Sequence, residues 1–355
     1  MTPSIRFEVD ADGTALVTID MPGRSMNVIS DELQRQFEAA VERIATDRSV
    51  TAAILTSGKP AFLAGADLRE ILTLAVRAPQ LESRQLLDSV SAFSRVLRRL
   101  ETCGKPVVAA INGTALGGGF EMCLACHGRI AADVPGLQLG LPEVKVSLLP
   151  GAGGTQRVPR MVGIAAAMPL LLEGRSLAPR EALELGLVDA VVPGAELIAA
   201  CRKWLREHPR GSQPWDRDDF RMPGFVGQKS DEAAGYFMAA TAALQKKGWR
   251  NYPAPQAILR AVYEGTQVPF DTGLAIESRQ FALLLRSPVA AATVRTMFVN
   301  KQAADKLEAR PRGVPPSTVR CVGILGAGMM GQGIAYCAAV AGIDVVLLDR
   351  TAELA

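Results

Sequence analysis

Apolar and polar positions fall into blocks whose period changes along the chain. Residues 14–20 run from Thr14 through Leu16, Val17 and Ile19 as a strand, and Met21, Pro22 and Gly23 end it. Ser30 then stands as an N-cap. Asp31 and Glu32 fall in the first turn behind it, and Leu33, Phe37, Ala40, Val41 and Ile44 recur at helical spacing. Residues 51–56 predict a second strand. Val107 to Ile111 predict a third, apolar throughout as a strand buried on both faces must be. Strands alternating with helices predict an α/β layout. From about 195 to 310 helical patterns dominate, broken by a polar stretch over 206–229. Residues 310–317 are a linker by composition, and 319–325 open a new strand.

Composition narrows this picture. With 355 residues, 48% hydrophobic and 21% charged, the chain has material for two or three globular domains. A net charge of +3 is too small to argue for nucleic acid or an anionic membrane as partner. No apolar run reaches the length of a membrane span. The first eight residues lack a basic-then-apolar signal pattern, so the expected compartment is the cytoplasm. Six scattered cysteines are not a disulfide framework.

The chemistry concentrates in residues 111–121. Gly117, Gly118 and Gly119 let a backbone approach a ligand, and Glu121 follows at once among Phe120, Met122, Cys123 and Leu124. A carboxylate in apolar company is costly unless chemistry requires it. The pairing suggests exposed amides for a developing negative charge beside an acid/base group. Ala66 offers another free amide within residues 62–68, and Glu143 offers another carboxylate after Pro142. Taken singly, Glu121 would serve equally to complement a helix N-terminus, worth about 0.3–1 kcal/mol. Glu143 alone would serve to pair with Lys145. Asp67 and Arg69 read as structural. Arg24 and Lys59 lie near these segments, either to meet a phosphorylated ligand or as ordinary solvated charges.

With Ala64-Gly65-Ala66-Asp67, the Gly117–Gly119 run with Glu121, Pro142-Glu143, and residues 150–157 (Pro150 to Arg157) in this order, the chain resembles the crotonase (enoyl-CoA hydratase/isomerase) family over roughly residues 5–195. The resemblance implies a crotonase-like ββα core with C-terminal helices. It makes the N–H groups of Ala66 and Gly118 the oxyanion hole for the thioester oxygen of an acyl-CoA, and makes Glu121 and Glu143 the catalytic pair flanking the C2=C3 bond of a 2-enoyl-CoA. The family assigns water activation to Glu121 and proton donation to Glu143. The residue types alone do not divide those roles, because two coupled carboxylates share their titration. Isomerisation of a 3-enoyl-CoA, which needs one base, is an alternative. A non-catalytic binding module of the same fold is another, against which the paired glutamates and modest charge speak.

Two further motifs remain. Cys123, Cys126 and His127 fit C-x-x-C-H, the pattern of covalent haem attachment. We read them instead as packing within the apolar helix that begins at the glycines; with His208 the only other histidine, no metal site is expected. Gly326, Gly328 and Gly331 form G-x-G-x-x-G between the predicted strand and a helix over 332–341. A strand over 343–348 then ends at Asp349, about 20 residues beyond the first glycine, as in dinucleotide-binding folds. Gly326, Gly328, Met330, Gly331 and Asp349 are the expected NAD-binding residues.

This segment looks like the start of a 3-hydroxyacyl-CoA dehydrogenase. The two parts in this order are the layout of the α-subunit of bacterial multifunctional fatty-acid oxidation complexes, which commonly pair with a thiolase subunit. Residues 271–279 resemble the start of the helix that joins the two enzymes, read here as a spacer with an apolar face on the core. The expected domains are 1–195 (hydratase), 196–310 (helical extension and linker helix) and 317–355 (a truncated Rossmann β-α-β unit). The expected product is 3-hydroxyacyl-CoA, without its oxidation.

Overall fold

The computed structural model describes residues 3–224, 231–248, 251–311, 313–315 and 317–351. Its strands are β1 (Ile5–Val9), β2 (Thr14–Ile19), β3 (Ala52–Ser57), β4 (Val107–Ile111), β5 (Ala115–Leu116), β6 (Gly128–Ala132), β7 (Leu139–Gly140), β8 (Ser176–Leu177), β9 (Ala190–Val192), β10 (Cys321–Leu325) and β11 (Asp344–Leu348). Six of them form one sheet in the order β1-β2-β3-β4-β6-β9. β1 runs antiparallel to β2, and the other pairs are parallel. The central strands β3 and β4 are buried at every position, which is why they read as unbroken apolar runs. β1 adds to the expected elements. Its signal is the alternation of Ile5, Phe7 and Val9, packed on the core, with Arg6 and Glu8.

The helix Asp31–Thr46 forms as its spacing predicts. Ser30 Oγ accepts from the Leu33 amide at 3.3 Å, and Leu33, Phe37, Ala40, Val41 and Ile44 are the buried face. A small sheet, β5-β7-β8, joins two isolated bridges, Ile29 with Ala66 and Leu63 with Ala115. These short pairings carry residues 65–67 up to residues 115–118.

Two expectations change. The helix that begins at the glycines stops at Ala125, and Cys126 is extended. His127 Nδ1 accepts from the Val107 amide at 3.1 Å while Nε2 meets the Glu101 carbonyl at 3.0 Å. The ring therefore pins two backbone segments, and Cys123 and Cys126 are buried as small hydrophobes. The polar stretch over 206–229 is more than a break between helices. Trp215 is buried, and Gln213 Nε2 donates to the carbonyls of Ala125 and Cys126 at 3.0 and 3.1 Å. Residues 225–229 of that stretch lie outside the described residues, as do Met1, Thr2, Arg312, Pro316 and residues 352–355.

Compactness divides the chain into residues 1–302 and 303–355. The helices Pro253–Gly265, Phe270–Arg286 and Pro288–Val294 belong to the first unit, whose core they help bury. In the second unit β10 and β11 pair in parallel, joined by the helix Met329–Val340. Among the described residues that sheet has two strands and leaves Leu325, Val346 and Leu348 exposed. Isolated two-stranded sheets are marginal in water. Amides of β10 and β11 are therefore expected to exchange with deuterium at least about a hundredfold faster than those of β3 and β4, as read by exchange mass spectrometry. Equal protection would refute this.

Candidate active site

The Gly117–Glu121 segment works by backbone geometry. Gly117 has φ 54° and ψ −133°, its N–H donates to the Gly140 carbonyl at 2.9 Å, and its carbonyl accepts from Phe120 and Glu121 at 2.8 and 2.9 Å. The chain thereby turns sharply into the helix Gly118–Ala125. A Cβ on Gly117 would stand 2.7 Å from Glu143 Oε1, and one on Gly119 would stand 2.4 Å from the Leu63 carbonyl. The glycine run thus serves close packing of protein segments as much as access for a ligand.

The two expected oxyanion donors come together. Ile29 N donates to the Gly65 carbonyl at 2.8 Å, and Asp67 N donates to the Ile29 carbonyl at 2.9 Å. Because peptide groups alternate along an extended chain, these flanking bonds turn the Ala66 N–H to the other side. The Gly118 N–H is an orphan of the first helical turn, at the positive end of the helix dipole. Among the described residues neither N–H has a hydrogen-bond partner, and both Ala66 and Gly118 line a cleft of about 710 Å³. Glu143, Ala152, Leu149 and Phe281 line the same cleft.

The carboxylates sit differently. Glu121 is 2% exposed and lies beside the lining residues Gly118 and Ala152. Its Oε1 accepts from the amides of Ala152 and Gly154, both at 2.8 Å. Burial pushes Glu121 above the usual carboxylate range, while those two amides and Arg157 oppose the rise. Glu143 rides on the 3₁₀ turn Pro142–Val146. Its Oε2 is buried with no hydrogen-bond partner among the described residues. Burial first, then Glu121 and Glu277, push it well above the usual range. Among the described residues Glu143 makes no ion pair, so the pairing with Lys145 does not form.

Behind Glu121 lies a set of residues to which the sequence reading gave no role in the site. Arg157 is fully buried and donates to Glu101 through Nε at 2.7 Å and Nη2 at 3.0 Å. Its Nη1 donates to the Ala152 carbonyl at 2.5 Å, which fixes the peptide unit next to the one that holds Glu121. Glu277, on the helix Phe270–Arg286, is likewise fully buried. It accepts from the amides of Gly153 and Thr155 at 2.6 and 2.9 Å and from Thr155 Oγ1 at 2.6 Å. Burial, with Glu121 opposite, pushes Glu277 up to about 8. A signal existed: Glu277 falls three after Leu274 and four before Phe281, an acid inside an apolar stripe. The expected spacer helix therefore reaches the turn that holds Glu121.

The remaining charges are structural. Asp67 caps the helix Leu68–Arg77 by accepting from Arg69 N at 3.0 Å, and pairs with Arg24 at 2.8 Å. Lys59 pairs with Asp20 at 2.9 Å. Arg24 and Lys59 are thus held by acids of the chain itself.

Residues 10–214 match the family described as enoyl-CoA hydratase/isomerase. The chain belongs to that family. Residues 321–355 match the NAD binding domain of 3-hydroxyacyl-CoA dehydrogenase. A curated relative, the fatty acid oxidation complex subunit alpha of Idiomarina loihiensis, is 38% identical over 353 residues, 97% of this chain and 47% of its own length. The chain thus spans about half the length of that relative. Among solved structures, an enoyl-CoA hydratase from Bacillus anthracis superposes with TM-score 0.51 at 27% identity, over 86% of this chain and 96% of its own. One from Bacillus halodurans gives TM-score 0.57 at 24% identity, over 82% and 99%, and shows the shared fold. The crotonase-type α/β architecture expected from the motifs is the one observed.

The second unit fits the NAD-binding description. Gly326 has φ 99°, and a Cβ on Gly331 would stand 1.8 Å from the Gly326 carbonyl, so helix and loop pack closely only with glycine there. A Cβ on Gly328 would meet nothing within 4 Å, which leaves the backbone open to a diphosphate. Met330 lies in the first helical turn and is exposed. Asp349 Oδ2 accepts from Ala327 N at 2.7 Å, which sets the carboxylate beside the glycine loop. A bond from Arg350 N, and then the one from Ala327 N, hold its pKa below the usual range.

Proposed function

We propose that the cleft binds a 2-enoyl-CoA thioester and adds water across its C2=C3 bond, giving 3-hydroxyacyl-CoA. The observation that carries this reading is the pair of partnerless amides, Ala66 and Gly118, flanked by two carboxyl groups in different electrostatic states. The thioester oxygen accepts from both amides. As water attacks C3, its proton passes to Glu121, and the double-bond electrons move to C2 and the thioester oxygen. The preorganised amides stabilise that charge, each worth about 10²–10³ in rate. Glu143 delivers its proton to C2. Two backbone donors on Glu121 favour its ionised form, whereas Glu143 has an undonated buried oxygen and keeps its proton. The environments thus support the division of roles that residue types alone leave open.

Crotonyl-CoA tests the proposal: the enoyl thioester absorbance should fall on mixing, and no fall at high protein concentration would sink it. A second reading, isomerisation of 3-enoyl-CoA, is favoured by one observation, that Glu143 lines the cleft with an oxygen that has no hydrogen-bond partner among the described residues. One base lining the cleft suffices to shuttle a proton. The roles of Glu121 and Glu143 separate the two readings, as argued below.

Arg69, Arg77 and Lys145 line the cleft, are exposed and have no acidic partner among the described residues. They are placed for the phosphates of CoA. Arg77→Ala is expected to raise KM by about two- to fivefold, as an exposed ion pair warrants, with kcat unchanged. A saturation curve with and without added salt checks this.

We read residues 1–195 as carrying the catalytic groups, 196–310 as their helical support, and 317–355 as the NAD-binding segment. Gly326, Gly328, Met330, Gly331 and Asp349 would hold NAD there, which when bound would supply an acceptor for the hydride leaving C3 of a 3-hydroxyacyl group. The oxidation complex named for the relative suggests a partner subunit such as a thiolase.

A further inference from the structure

Four consecutive amides, from Ala152 to Thr155, are shared between two buried carboxylates. Ala152 and Gly154 donate to Glu121, and Gly153 and Thr155 donate to Glu277. The two acids come from distant parts of the chain, and neither touches the other's amides. Gly153, with φ 105° and ψ 5°, alternates the N–H directions at the start of the helix Gly154–Val162. With Arg157 fixing the Ala152 carbonyl, every polar handle on this turn is held.

We propose that Glu277 is a positioning residue for the reaction: by gripping Gly153 and Thr155 it aims the interleaved amides of Ala152 and Gly154 at Glu121 and so sets the place and basicity of the proton acceptor. This rests on the reading of Glu121 as the base. A carboxylate is suited to the task because it accepts from three donors at once, two amides and the Thr155 hydroxyl. An amide side chain has one acceptor oxygen and two N–H groups, which face donors here.

The ionisable groups around Glu277 are few. Glu121 faces it from the helix Gly118–Ala125, Glu143 from the 3₁₀ turn, and Arg157 from the helix Gly154–Val162, which also carries the buried Arg160. Beyond Arg157 come Glu101 and Arg98 on the helix Ser83–Glu101. On its own helix Asp271 is taken by Arg98, Arg279 by Glu264 of the helix Pro253–Gly265, and Arg286 by the Leu81 carbonyl. Arg260, Arg69, Glu70 and Arg77, on the other packed helices, are exposed.

Glu277→Gln in the full chain is the test, with Thr155→Val as a milder variant that keeps volume and both amide donors to Glu277 and Glu121, removing the hydroxyl with its bonds to Glu277 and Gln156. In Glu277→Gln the turnover of crotonyl-CoA should fall roughly 10- to 100-fold through misplacement of the base, with KM within about twofold. In Thr155→Val it should fall about threefold. Carboxyl-¹³C spectra of glutamate-labelled protein, with the Glu121 signal identified by its loss in Glu121→Gln, give a readout independent of activity. The Glu121 midpoint should move up by about 0.5–1 pH unit in Glu277→Gln as the amides of Ala152 and Gly154 are no longer aimed at its Oε1.

Wild-type turnover and an unmoved Glu121 midpoint in folded Glu277→Gln would overturn the inference while leaving hydration standing. Should Glu277→Gln not fold, unchanged turnover and midpoint in Thr155→Val would overturn it equally. A moved midpoint in a protein that never hydrates crotonyl-CoA would sink the hydratase reading instead and keep the coupling between the two acids. Loss of activity and thermal stability together, with the midpoint unmoved, would reduce Glu277 to a packing role and also overturn the inference.

Discussion

Replacing Glu121 with glutamine is expected to lower the rate of crotonyl-CoA hydration by about 10²–10⁴, the usual contribution of a positioned acid/base group. The variant isolates the chemistry. Glutamine keeps an oxygen where Oε1 accepts from Ala152 and Gly154, so the turn stays in place. It removes the proton acceptor. The pH profile adds a second reading. The proposed mechanism needs Glu121 ionised and Glu143 protonated, and both are held above the usual carboxylate range. The rate should therefore fall on the acid side as Glu121 takes up a proton, and on the alkaline side as Glu143 loses one. Because the pair titrates together, each limb belongs to both acids in wild type. A one-base isomerase working through Glu143 would keep its 3-enoyl-CoA activity in Glu121→Gln. Retained hydration in that variant would end the proposed mechanism.

Arg157→Met is expected to cost about 3–5 kcal/mol of folding stability, the largest stability effect in the first unit. The reason is the partner left behind. Glu101 and Arg157 are both fully buried and joined by two bonds, at 2.7 and 3.0 Å. Without Arg157, Glu101 retains only the longer contact of 3.4 Å from Arg98. Burial already pushes the Glu101 pKa upward against Arg157, so the orphaned acid would take up a proton or unfold its surroundings. Urea unfolding measures the loss. The double variant Glu101→Gln with Arg157→Met should recover part of it, since both charges are then gone. Because Arg157 also holds the Ala152 carbonyl, hydration should fall in the single variant as well. A loss below 1 kcal/mol would show that the pair is dispensable.

Local pattern was enough for much of this protein. The period of apolar residues with the Ser30 cap marked the helix Asp31–Thr46, and unbroken apolar runs marked β3 and β4. Both are short-range properties of the chain, written in neighbouring residues. Ala66, Gly118, Glu121 and Glu143 were legible because each sits in a short motif whose backbone does the work. So were the glycines of the 326–331 loop, where conformation and close approach restrict the residue type. β1 was open to the same reading through its alternation.

The support of the site was decided elsewhere. Glu101, Arg157 and Glu277 come from three helices separated by many residues, and nothing local says that they meet. Charged side chains are ordinarily assigned to the surface, and only the packed structure shows that these three are fully buried. The electrostatic split between Glu121 and Glu143 likewise follows from which amides reach which oxygen. A sequence fixes what a segment prefers and which groups it carries. The dielectric and the hydrogen-bond partners around each acid are set by residues distant in the chain, so acidity and role emerge only when the tertiary structure closes around them.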